Sequence, residues 1–113
     1  MLEKKDRLNF LFDFYGMLLT KKQQAVVEMY YQDDFSLAEV AQHLRISRQG
    51  VYDILSRAVH ALEEWEEKMG LYQSFVRRRE EGKKLLELLA IDRPSGAQVS
   101  EIKKIVEKNM LEN

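Results

Sequence analysis

Residues 36–62 read SLAEVAQHLRISRQGVYDILSRAVHAL. Leu37, Val40, Ala41 and Leu44 recur at helical spacing. Ser36 followed by Glu39 has the form of a capping box, in which hydroxyl and carboxylate each satisfy an orphan backbone amide. This predicts a short helix over about 37–44, a tight turn at Arg45 and Ile46, and a second helix capped by Ser47. Val51, Leu55, Ala58, Leu62, Trp65 and Met69 form one stripe, so the second helix runs to Gly70, a residue suited to the left-handed conformation past a last turn. The small Ala41 lets the two helices approach, with Leu37, Val40, Leu44, Ile46, Val51 and Ile54 as their shared core. A short helix, a tight turn and a longer helix are the parts of a helix-turn-helix, whose second helix enters a major groove.

Working outward, the same spacing continues in both directions. A first helix is expected over about 2–17, with Leu8, Leu11, Phe12, Tyr15 and Leu18 on one face and Phe10, Phe14 and Met17 towards another. Such an aromatic helix is either central to the core or the seam of a dimer. Thr20 with Gln23 repeats the capping box, opening a helix of about 21–31 with Ala25, Val26, Met29 and Tyr30 inward, and Gln32 to Phe35 turn out of it. Beyond Gly70, a fifth helix of about 72–90 is anchored by Phe75, Val76, Leu85, Leu86 and Leu89. Residues 91–96 hold the only proline and read as a break before a last amphipathic helix of about 97–111. The expected fold is all-α, a helical bundle of about six helices containing a helix-turn-helix without a wing. Residues 1–90 are expected to form the domain, with the helix-turn-helix core at 20–69, and 91–113 a short linker and C-terminal helix.

Composition narrows the function. With 113 residues, 45% hydrophobic and 33% charged, the chain fits one ordinary domain. It has no cysteine, and no apolar run long enough to insert in a membrane, so the expected address is the cytoplasm. Catalysis finds no support: His43 and His60 lie on different helices without a third ligand at metal spacing, and no glycine-rich loop follows a strand. Asp33 and Asp34 sit in a turn. No enzyme activity, metal or cofactor is expected. The net charge of −1 departs from the basic excess of most nucleic-acid-binding domains, so any such affinity must come from a local patch.

The helix-turn-helix segment resembles region 4 of sigma-70-type factors. Together with LNFLFDFYGMLLTKKQQ at residues 8–24, the chain is similar to the YlxM family of small bacterial helix-turn-helix proteins. The resemblance covers about residues 1–90. Genes of that family commonly neighbour those of the signal recognition particle GTPase and its receptor, which implies a regulatory part in or near that pathway. Its implied partners are DNA or the particle's RNA, and the particle's GTPase.

In the DNA-binding reading, the exposed start of the recognition helix presents Arg48, Gln49, Tyr52 and Asp53, with Ser56 and Arg57 one turn on. Arg48 suits guanine, Gln49 adenine, and Tyr52, Ser56 or Arg57 a phosphate, while Asp53 must accept from cytosine or be repelled. Lys21, Lys22 and Arg45 add backbone contacts from neighbouring elements. In the alternative, the helix pair is a solvated corner with Asp53 and Arg57 as an i,i+4 pair, serving as a platform for protein contacts. The runs Arg77–Arg78–Arg79 and Glu63, Glu64, Glu66, Glu67 read as solvated helix faces. A homodimer is expected, since short helices leave many apolar faces to cover.

Overall fold

The computed structural model describes residues 2–111, with the side chains of residues 5–110. Among them are six α-helices and no strand: α1 (Leu2–Tyr15), α2 (Lys21–Val27), α3 (Leu37–Leu44), α4 (Arg48–Met69), α5 (Leu71–Leu89) and α6 (Gly96–Leu111). The all-α expectation holds. The chain divides into two compact units, the first ending at Tyr72 and the second beginning at Gln73, inside α5. The sequence reading drew its boundary in the break after residue 90.

Local chemistry fixes where the helices begin. Thr20 Oγ1 accepts from Gln23 N at 3.1 Å and Gln23 Oε1 accepts from Thr20 N at 3.0 Å; Ser36 and Glu39 repeat the exchange at 3.0 Å each way. Ser95 with Gln98 does the same ahead of α6. At Ser36 the exchanged hydrogen bonds hold the Glu39 carboxyl below its ordinary pKa. A depressed carboxyl contributes stability that is present above its unfolded pKa and is lost as the pH falls through the folded value. Protection of the first-turn amides of α3, measured against the intrinsic exchange rate at each pH, should therefore fall in acid, and Glu39→Gln, which keeps the acceptor without the titration, should flatten that dependence. Equal acid sensitivity in both proteins would remove the capping box as its cause.

The core of the first unit is built by Leu8, Leu11 and Tyr15 of α1, Val26 and Val27 of α2, Val40 and Ala41 of α3, and Val51, Leu55, Ala58 and Leu62 of α4. The long α4 is the spine against which α1, α2 and α3 pack. Phe12 and Phe14 pack on that core and Phe10 lies 5.6 Å from the Tyr72 ring, so the aromatic face of α1 is covered within the chain.

Two stretches depart from the helical spacing. After Tyr15 the chain tightens into a 3-10 turn, Gly16–Leu18. That change of period swings Leu18, expected inward, into solvent, leaves Met17 84% exposed, and sends Leu19 into the core instead. Gly16 is required there, because a Cβ would stand 2.9 Å from the Phe12 ring. Gln24 Nε2 fastens the turn by donating to the carbonyls of Gly16 and Leu19, at 2.9 and 3.2 Å. The second departure follows α2, where Glu28–Gln32 widens into a π turn closed by Asp33 N donating to Glu28 O. It keeps Met29, Tyr30 and Tyr31 against the core.

In the second unit, Lys84 Nζ meets Glu101 at 2.6 Å and Asn109 Nδ2 donates to Glu81 at 2.8 Å, tying α5 to α6. Among the described residues of this unit Leu88 is the buried apolar one. The expected anchors Phe75, Val76, Leu86 and Leu89 are exposed, because the face turned to α6 carries Glu81, Lys84 and Leu88.

Candidate nucleic-acid interface

The turn between α3 and α4 is closed by backbone. Arg45 takes the left-handed conformation (φ 57°) and Ile46 N reaches back to Ala41 O at 3.1 Å, which is the six-to-one bond of a Schellman ending. Ser47 then caps α4, accepting from Gly50 N at 2.9 Å. Gly50 leaves the cap room, since a Cβ would lie 3.1 Å from the Ser47 hydroxyl. With Val51, Leu55, Ala58 and Leu62 turned inward, the opposite face of α4 exposes Arg48, Gln49, Tyr52, Asp53, Ser56 and Arg57. The unsatisfied amides of a helix start add positive potential at this end.

The six recognition-helix candidates thus share one exposed surface, and within it Gln49 Nε2 donates to Asp53 Oδ1 at 3.0 Å. The Asp53–Arg57 pair of the alternative reading is not formed, and Asp53 is held from the preceding turn instead. Gln49 keeps its amide oxygen and one N–H, enough for an adenine edge, and the Asp53 carboxylate is partly satisfied locally. Lys21 and Lys22 stand exposed in the first turn of α2, which packs on α4, and share no hydrogen bond or ion pair with the α4 candidates. Arg45 is exposed at the turn.

A left-handed arginine is strained, because only glycine adopts that conformation without a Cβ penalty. Arg45→Gly should accordingly raise the unfolding free energy by about 1 kcal/mol while weakening any phosphate-dependent binding. A destabilised variant in urea titration would contradict the strain argument.

The acidic half of α4 holds what the sequence reading missed. Glu66 was read as a solvated residue, yet it is only 6% exposed. Tyr15 Oη donates to Glu66 Oε1 at 2.7 Å, Tyr72 N donates to the same oxygen at 2.9 Å, and Leu71 N donates to Tyr15 Oη at 3.1 Å. The first amides of α5, which no carbonyl of their own helix can satisfy, are capped from α4 and α1. Burial, then the bond to Glu66, raises the Tyr15 pKa. Beside this network Arg7 grips Glu63 in a bidentate pair at 3.0 and 2.7 Å and lies over the Tyr72 ring, which leaves its pKa above the ordinary value. The usable signal was spacing: Glu66 continues the buried row 51–55–58–62, while Met69, expected inward, is half exposed.

Among the described residues no three His, Asp or Glu side chains gather at metal-binding distance, and no helix is long and apolar enough to cross a membrane.

A family model described as "Putative helix-turn-helix protein, YlxM / p13 like" matches residues 2–105. The chain is 46% identical over 106 residues to a UPF0122 protein of Bacillus pumilus, covering 94% of this chain and 93% of the relative. UPF0122 proteins of Bacillus cereus and Bacillus anthracis are 43% identical over 108 residues, covering 96% of this chain and 98% of theirs. With a profile that spans the helix-turn-helix and relatives that align nearly end to end, the chain belongs to the UPF0122 family of YlxM/p13-like helix-turn-helix proteins.

Proposed function

We propose that this chain is a cytoplasmic, non-enzymatic regulatory protein that binds nucleic acid, as a homodimer, through the exposed start of α4. Arg48 and Gln49 address bases, Tyr52, Ser56 and Arg57 address the backbone, Asp53 orients Gln49, and Lys21, Lys22 and Arg45 add phosphate contacts. One observation carries the reading. In the first unit Lys5 and Arg7 are spent on ion pairs with Asp34 and Glu63, whereas Lys21, Lys22, Arg45, Arg48 and Arg57, like Lys68 at the far end of α4, are exposed and form no ion pair among the described residues. Exposed cations on α2, on the α3–α4 turn and at the start of α4 support a local patch of the kind that a net charge of −1 demands. The polymer is duplex DNA or the RNA of the signal recognition particle, and the pathway follows from the YlxM resemblance.

A second reading, a protein-contact factor for the particle's GTPase, is favoured by the knuckle at Met17 and Leu18, two exposed apolar side chains on a turn that Gln24 holds in place. Titration of the purified protein against random duplex DNA, the particle RNA and the GTPase separates the two. Binding to a nucleic acid that is lost in Arg48→Ala with Arg57→Ala supports the first; binding to the GTPase alone, unchanged in that variant, supports the second and overturns the first.

A further inference from the structure

The second unit has the form of half a bundle. Its two helices are joined by polar bonds and bury Leu88, while Leu86 (71% exposed), Leu89 (66%), Val99, Val106 and Met110 remain in solvent. Two-helix units of this kind are completed by a second pair of helices, and a closed two-fold dimer is the commonest way to supply one.

The sequence of α5 is suited to meeting itself. Gly82 sits in the middle of the helix, where glycine is the poorest residue after proline, and a Cβ there would meet nothing within 4 Å. It therefore serves no packing within the chain, but it would let another backbone come close. At helical spacing Phe75, Arg79, Gly82, Leu86 and Leu89 fall on one strip, with Glu87 along its edge. Phe75 and Leu89 are equidistant from Gly82, and Arg79 and Glu87 are equidistant from Lys83. Arg79 and Glu87 carry opposite charges and form no ion pair among the described residues, while Lys83 already faces Glu80 at 3.8 Å.

We propose that α5 is the dimer seam: it crosses α5 of a second copy antiparallel about a two-fold axis beside Gly82. Phe75 then lies against Leu89 of the second copy, Leu86 enters the apolar strip, and Arg79 pairs twice, by symmetry, with Glu87 of the second copy. This rests on the homodimer element of the proposed function and gives it a surface; nucleic-acid binding by α4 is tested separately.

The test is sedimentation of the full chain at micromolar concentration. The expected mass is twice the 13.4 kDa of one chain. Leu86→Asp, at an exposed position that leaves helicity intact by circular dichroism, should raise the dissociation constant by about 30-fold, as for a central interface residue. Arg79→Glu and Glu87→Arg should each weaken association, because each sets like charges opposed twice. Mixing these two variants in equal amounts should restore the dimer, since each then meets the opposite charge. A monomeric wild type overturns both the seam and the homodimer. A wild-type dimer indifferent to Leu86→Asp, or variants whose mixture is no tighter than either alone, overturns the seam and leaves the homodimer to another surface.

Discussion

Glu66→Ala should cost about 2–4 kcal/mol of unfolding free energy, a large share of the 5–15 kcal/mol typical of a domain. The reason is what the carboxylate leaves behind. Tyr15 Oη and Tyr72 N both donate to Glu66 Oε1, and removing that oxygen orphans two donors in a buried setting. Glu66→Gln keeps an acceptor at the same place and should cost about 1 kcal/mol, the difference between a charge-assisted and a neutral hydrogen bond. Tyr15→Phe should fall between them, since it removes the acceptor that Leu71 N uses and one of the two donors on Glu66. The double variant Glu66→Ala with Tyr15→Phe should cost less than the sum of the singles, because the two share one network. Urea titrations with unchanged m-values measure all four. A Glu66→Ala variant within about 0.5 kcal/mol of wild type, the range of ordinary surface changes, would show that the network is dispensable.

The same network has an alkaline signature. A phenol whose folded pKa is raised contributes stability that is fully present below its unfolded value and lost as the pH rises through the folded one. Stability should fall above about pH 10, the ordinary tyrosine value, and less steeply in Tyr15→Phe.

What was legible in the sequence was what short-range rules decide. Thr20 with Gln23 and Ser36 with Glu39 announce helix starts because both partners of each cap lie within four residues. The turn at Arg45–Ile46 and the stop at Gly70 are equally local. Partners far apart in the chain were not legible. Glu66 looks like its neighbours Glu64 and Glu67 until α1 brings Tyr15 to it, across 51 residues. Leu18 fits the α1 stripe until the turn at Gly16, where only a residue without a Cβ clears the Phe12 ring, changes the period. In α5 the apolar residues were visible, but which of them face α6 depends on where Glu81 and Lys84 find Asn109 and Glu101. On the interface, all six α4 candidates came from the helical period alone; the Gln49–Asp53 bond competes with a pair to Arg57 that spacing permits equally.

If Lys21, Lys22, Arg45 and Arg57 each neutralise one phosphate, while Arg48 meets a base, affinity per protomer for duplex DNA should fall by about 150-fold between 50 and 200 mM salt, from a slope of about −0.9 per phosphate. The magnitude decides between the two functional readings, because a contact built on Met17 and Leu18 displaces no condensed counterions and should change little over that range. Arg48→Ala with Arg57→Ala leaves three of the four phosphate-facing cations, so the same salt step should then cost only about 40-fold. The change in slope is more diagnostic than the loss of affinity, since an unfolded variant loses affinity without acquiring a shallower slope. Lys21→Ala with Lys22→Ala removes two phosphate contacts, so it should reduce the slope twice as far and weaken all sequences alike, whereas Arg48→Ala should relax preference at a guanine. A slope near zero in the wild type would show that these four exposed cations do not meet a phosphate backbone, and would move the function to the protein-contact reading.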